Sequence, residues 1–351
     1  MTVAIMIMLV GLAAANGAND VSKGVATLAG AGVVAYRTAI VWGTVTTLVG
    51  ALLSIQLGRN MGSLFSKGIV DATPTAAFAL AVLLGTTSWV GLASLLRLPV
   101  STTHAIVGSL VGAALVLAPS AVQWQGVARK VVLPLLLSIV VAYTISVVLG
   151  LIAKRMLGRD DQRPKSRVHE PVPVGSGGAS AASKAEPTVA TPARRRVTQD
   201  RVISLLHWAS SGATSCARGL NDTPKIAAIG GFALLPAGYS ATAISVIVAA
   251  AMAVGSLAGV RVARRLGSNV LKMSHTEGFT ANLTTAGLVG AGALLAWPMS
   301  TTQVSTGAIV GSAGGQLSRL SGRTLRDFAI AWLITPVFGA LVAAAAYAVA
   351  R

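Results

Sequence analysis

The 351 residues contain a single cysteine, Cys216, so no internal disulfide can form and no thiolate cluster can hold a metal. Only four histidines accompany it, scattered along the chain. They supply neither a nucleophile–base set nor a group of metal ligands, which speaks against an enzyme. Charge is also scarce: Asp, Glu, Lys and Arg make up 11% of the chain, against about 25% in an ordinary soluble domain. Aromatic residues reach only 5% and are not interleaved with the basic ones. A nucleic-acid surface is therefore not indicated, despite a formal charge of +18.

What the chain does contain is apolar sequence, at 54%. It runs nearly unbroken through 3–12, 39–57, 76–96, 131–153, 241–260 and 328–350. Several of these reach the roughly 20 residues that a helix needs to cross a ~30 Å hydrocarbon core. They lack the polar face that a soluble helix would show. Glycine is frequent at 38 residues, as expected where helices pack closely in lipid. No basic stretch precedes the first run, and Ala13-Ala14-Ala15 leads straight into polar residues. Residue 3 onward thus reads as a retained first helix rather than a cleaved leader. The fold class is an all-α integral membrane protein.

The positive charge is clustered. Eleven of the 28 Lys and Arg lie in 154–201, four in 261–272 and three in 319–326. These groups flank apolar runs, as cytoplasmic loops do under the positive-inside rule. Segment 154–201 also carries Pro164, Pro171, Pro173, Pro187 and Pro192, with Gly175-Ser176-Gly177-Gly178. That composition predicts a solvated, disordered, basic cytoplasmic linker. It divides the chain into a first membrane repeat, 1–153, and a second, 202–351.

The two repeats share text. Asn19-Asp20-Val21-Ser22-Lys23 recurs as Asn221-Asp222-Thr223-Pro224-Lys225, and Pro99-Val100-Ser101-Thr102-Thr103 as Pro298-Met299-Ser300-Thr301-Thr302. Gly108 and Gly112 follow the first Ser-Thr-Thr as Gly307 and Gly311 follow the second. Two polar motifs in one order and at nearly one separation indicate an internal duplication. Each half is expected to open with a helix broken at its Asn-Asp motif, over about 3–35 and 203–235. A second helix follows, to about 57 and 262. A re-entrant helical hairpin then turns at Pro-x-Ser-Thr-Thr, and a final span closes the half. Three crossings per half is an odd number, so the halves are inverted relative to one another. With the linker inside, both termini fall outside.

Asp20, Lys23, Asp222 and Lys225 lie in otherwise apolar sequence, where a charge costs at least roughly 2.5–3.5 kcal/mol at mid-bilayer. Each Asp can neutralise the Lys one turn on, yet neutralisation alone does not explain why so costly a pair occurs twice. Ser101, Thr102 and Thr103, like Ser300, Thr301 and Thr302, follow a proline and open a short helix. One hydroxyl suffices for a cap. Three hydroxyls beside the free N–H groups and positive dipole end of a helix make a site for a small oxyanion. Broken helices at a repeat interface are where secondary transporters hold their cargo. An anion channel would also need such a site, but not an embedded carboxylate pair in each half.

Gly17-Ala18-Asn19-Asp20-Val21 and the run from Leu98 to Gly108 resemble the duplicated signatures of the inorganic phosphate transporter (PiT) family, over nearly the whole chain except the linker. The resemblance implies a cation-coupled phosphate symporter of the cell membrane, often dimeric, without a cofactor. It implies that Asn19, Asp20, Asn221 and Asp222 help to hold coupling cations and phosphate, and that the two Ser-Thr-Thr tips hold phosphate. Two departures bear on coupling. Family members commonly end the first motif Asn-Asp-Val-Ala-Asn, where this chain has Lys23 and Lys225. Sodium-coupled relatives carry embedded glutamates where Thr46 or Thr47 and Asn282 fall here. Protons are therefore expected as coupling ion ahead of sodium. Sulfate, isosteric with phosphate, is the competing cargo. A carboxylate favours phosphate because it accepts a hydrogen bond from a protonated anion and repels one without protons. His104 is expected to hydrogen-bond rather than relay protons, since Gln303 is its counterpart. Arg218, beside Gly219, is left evenly between touching the anion and a structural partner.

Overall fold

The computed structural model describes residues 1–71, 73–157, 193–314 and 316–351. Most of the predicted linker, 158–192, lies outside the described residues. Thirteen helices of nine residues or more follow in order: α1 Thr2–Asp20, α2 Ser22–Gly30, α3 Tyr36–Leu57, α4 Arg59–Lys67, α5 Ala76–Leu95, α6 Thr102–Leu117 and α7 Leu133–Leu157. Then come α8 Ala193–Leu234, α9 Ala241–Ser256, α10 Val260–Asn269, α11 His275–Leu294, α12 Thr301–Ser312 and α13 Gly322–Ala350. Among the described residues the only β pairing is two isolated bridges, Val70 with Val122 and Leu271 with Leu320. Among the described residues five helical segments, α1 with α2 counting as one, are long and apolar enough to cross a membrane, and the bent pair α9–α10 makes a sixth. The chain is an all-helical membrane protein.

Helices from the two halves pack crosswise. α1 lies against α9 and α3 against α8, while α6 lies against α13 and α12 against α7. Glycine makes the second pair of contacts. A Cβ on Gly108 would run into the Pro336 carbonyl, and one on Gly307 into the Ile139 carbonyl. The short helix of each half thus rests its backbone on the last helix of the other.

α6 and α12 have 16 and 12 residues, or about 24 and 18 Å at 1.5 Å per residue, short of a ~30 Å core. The helices before them end alike. Arg97 and Ala296 take the left-handed conformation, at φ 61° and 55°, and the next N–H reaches back to Ala93 and Gly292 respectively. This is the Schellman closure with a side chain where glycine usually sits, a strain of about 1–2 kcal/mol per turn. It throws Pro99 and Pro298 sharply back toward the next helix.

Three expectations need correction. The first helix of the second half is not broken: α8 runs unbroken through the Asn221–Lys225 motif, with Pro224 inside it. Proline removes one helical hydrogen bond, but α3 and α11 both pack extensively against the helix. Gly219 serves that contact, since a Cβ there would meet the Thr47 carbonyl. In the first half the interruption is confined to Val21, whose φ of −54° and ψ of −29° stay helical. The helix predicted to end near 262 stops at Ser256 and resumes as α10 after a 64° bend. Finally, Glu277, whose place between the basic cluster and the following helix suggests a solvated loop end, is buried. It closes a capping box with Ser274 and takes two hydrogen bonds from Arg319, at 2.7 and 2.9 Å.

Candidate functional site

The two motifs of each half meet through the chemistry of the proline turns. A proline cannot donate, and Ser101 and Ser300 after it are extended, so carbonyls at the turn are left open to side chains. Asn19, on the last turn of α1, closes the first turn: its Nδ2 donates to the Leu98 carbonyl at 2.8 Å, and its Oδ1 accepts from the Val100 N–H at 3.1 Å. Asn221 does the same less completely, donating to the Met299 carbonyl at 3.2 Å and to Asp222 Oδ1 at 2.8 Å. Both amides therefore hold their own tips in place.

Ser101 caps α6 by accepting from the His104 N–H, and Ser300 caps α12 by accepting from the Gln303 N–H. That frees the threonines to face inward, where the tips bond to each other. Thr302 Oγ1 donates to the Val100 carbonyl at 2.6 Å, and Thr103 Oγ1 to the Met299 carbonyl at 3.4 Å. Thr301 Oγ1 reaches Asp20 Oδ2 of the other half at 3.4 Å. All six hydroxyl residues are buried.

The expected ion pairs are present but unequal. Lys23 Nζ lies 2.5 Å from Asp20 Oδ1, whereas Lys225 Nζ lies 3.6 Å from Asp222 Oδ1. Lys23 also donates to Asn19 Oδ1 at 2.8 Å. Lys225 instead donates to Thr103 Oγ1 at 3.0 Å and to the Met299 carbonyl at 3.3 Å, beneath the Phe65 ring of α4. The second lysine is thus bonded to a hydroxyl of the first tip.

Sequence reasoning passed over Asn16. Its Nδ2 lies 2.9 Å from Thr102 Oγ1, 3.2 Å from Asp20 Oδ2 and 3.4 Å from Asp222 Oδ2. One amide group therefore joins a tip to the carboxylates of both halves. The available signal was its position one turn before Asp20, on the same helix face. Thr47 accepts from Arg218 Nη2 at 2.8 Å, and Asn282 Nδ2 donates to the Gly24 carbonyl at 3.4 Å. Thr46 bonds back to the Trp42 and Gly43 carbonyls of its own helix. Trp42 and Trp208 stack edge-on upon each other.

Polar capacity is left over here. Asn16 Oδ1, Asn221 Oδ1, Thr223 Oγ1, Thr306 Oγ1, His104 Nδ1 and Gln303 Oε1 are all buried with no partner in the protein. Buried polar atoms are seldom left so. Two helix starts, three hydroxyls on each and two ammonium groups form an arrangement that can replace the hydration shell of a tetrahedral oxyanion.

Known proteins resemble this chain in sequence and in fold. A protein of Mycobacterium tuberculosis strain H37Rv described as "Probable low-affinity inorganic phosphate transporter" is 29% identical over 347 residues, covering 95% of this chain and 73% of its own. One of Rhizobium meliloti with the same description is 26% identical, covering 95% and 91%. A solved structure entitled "The sodium-dependent phosphate transporter" superposes with a TM-score of 0.76 over 99% of this chain and 98% of its own, at 21% identity. The fold is therefore shared. Residues 16–343 match the phosphate transporter family, and the chain belongs to that family.

Proposed function

We propose that this chain is a secondary transporter that carries inorganic phosphate across the cell membrane, with protons rather than sodium as the coupling ion. The observation that carries the reading is the meeting of the tips: Thr302 on Val100, Thr103 on Met299, with a lysine-neutralised aspartate from each half alongside. The relatives named above are described as phosphate transporters. Phosphate is preferred over sulfate because Asp20 and Asp222 can accept from a protonated oxyanion. Ser101–Thr103 and Ser300–Thr302 would bind the anion with Asn19 and Asn221 holding the tips, and Asp20, Asp222, Lys23 and Lys225 would serve coupling. The ammonium groups supply tethered positive charge to the carboxylates, which a sodium ion would otherwise supply.

The same reading places the two halves in inverted orientation as separate repeats. It puts the 154–201 linker on the cytoplasmic side, both termini outside, and the working unit as a homodimer. The basic clusters support the orientation through the positive-inside rule.

Proteoliposome uptake tests it. Phosphate should accumulate against its gradient when a pH gradient is imposed, with sodium replaced by choline, and sulfate should compete poorly. Flux that only runs downhill would make the protein an anion channel. Equal uptake of sulfate would make it a general oxyanion carrier.

A further inference from the structure

Arg218 is the largest of the fully buried side chains, and neither the tips nor the lysine–aspartate pairs account for it. It lies on α8, one turn before Asp222. Its Nη2 donates to Thr47 Oγ1 of α3 at 2.8 Å and to Ser256 Oγ of α9 at 3.3 Å. Its Nε and Nη1 are buried and have no partner. Asp20 is held by Lys23 and Asp222 by Lys225. Among the described residues the guanidinium itself makes no ion pair, though it lies within electrostatic reach of both carboxylates.

The duplication sharpens the contrast. Aligning the two Asn-Asp motifs puts Arg218 opposite Asn16. Asn16 is neutral and hands its N–H groups to Thr102, Asp20 and Asp222. Arg218 is charged and keeps donors in reserve. A pin between α3 and α9 would need only a neutral donor, such as glutamine, to reach the same two hydroxyls. An unmatched charge in this setting is far more costly than that. Three cations, Lys23, Lys225 and Arg218, here face two carboxylates. The surplus positive charge sits in a water-poor setting, where Coulomb attraction is much stronger than in water. A guanidinium also offers a planar fork suited to an oxyanion, which an ammonium does not.

We infer that Arg218 is a further anion-binding residue of this site: it supplies the unmatched positive charge that attracts the oxyanion, and its Nε–H and Nη1–H donate to it. The inference rests on the phosphate-transport reading above and deepens it. When the anion leaves, Asp20 and Asp222 remain within electrostatic reach of the freed charge.

The test is the KM of phosphate uptake in proteoliposomes, measured beside insertion and thermal midpoint. Arg218→Gln keeps hydrogen-bonding capacity and removes the charge. Ser256→Asp keeps the arginine and gives it a carboxylate partner. Both should raise KM at least about tenfold, as expected for loss of a buried charge partner. Arg218→Lys should recover the part of that loss due to charge and leave the part due to the fork. An unchanged KM in either inserted variant would overturn the inference, as would a fall in thermal midpoint alone. Should Arg218→Gln fail to insert, Ser256→Asp decides, because it leaves the guanidinium paired and buried. Wild-type protein that takes up no phosphate would instead sink the transport reading itself.

Discussion

The Thr302 hydroxyl donates to the Val100 carbonyl at 2.6 Å, so the second tip is fastened to the backbone of the first. Thr103 returns the contact on Met299. On the proposed reading, these hydroxyls exchange the opposite tip for the anion as cargo arrives. Paired replacement by valine, at Thr102 with Thr103 or Thr301 with Thr302, keeps the shape and removes the exchange. Either pair should abolish phosphate uptake while membrane insertion stays normal. Normal transport by these variants would remove the tips from the site.

Coupling is the property on which Lys23 and Lys225 bear most directly. Initial uptake should change little when choline replaces sodium at fixed pH, and should respond to an imposed pH gradient. Lys23→Asn with Lys225→Asn takes away the tethered cations and should create a sodium requirement. A many-fold loss in wild-type protein without sodium, with no response to pH, would refute this.

The two ion pairs predict unequal costs. Asp20→Asn strands Lys23, which is wholly buried, and should cost about 3–5 kcal/mol of stability. Lys225 is farther from its aspartate and keeps Thr103 and Met299, so Asp222→Asn should cost less. Denaturation in detergent ranks the two. The reverse order would mean that the distances do not report coupling strength.

Away from the site, Glu277 holds both the start of α11 and the Arg319 loop. Glu277→Ala should lower stability by about 2–4 kcal/mol, combining a lost cap with a broken, partly buried ion pair. The phosphate KM should not change. A shifted KM with unchanged stability would mean that this corner communicates with the tips.

Much of this site was legible in the chain because its chemistry is repeated. Asp and Lys one turn apart, and Ser-Thr-Thr after proline, state their local geometry without help from the fold. What could not be read depends on partners distant in sequence. Pro224 looks like a helix break until its packing against Gly58 and Gly62 is seen. Glu277 looks like a surface residue until Arg319 folds back upon it. Asn16 follows three alanines and has no motif of its own. Its importance arises where α1 meets Thr102 and Asp222. Arg218 was visible, but only its empty donors separate a ligand contact from a pin.

The crosswise seating of the short helices also bears on how the protein is made. Gly108 and Gly112 rest on Pro336 and Ala340, while Gly307 and Gly311 rest on Ile139 and Tyr143. The ribosome finishes the first half long before α13 exists, so α6 waits in the membrane with its glycine face bare. α12, by contrast, is born beside a completed α7. Assembly is therefore ordered in time: the second half docks on the first, and the first closes only when the last helix arrives. A chain truncated before Pro336 would leave α6 without a wall and expose it to membrane quality control, even with every substrate-facing residue in place.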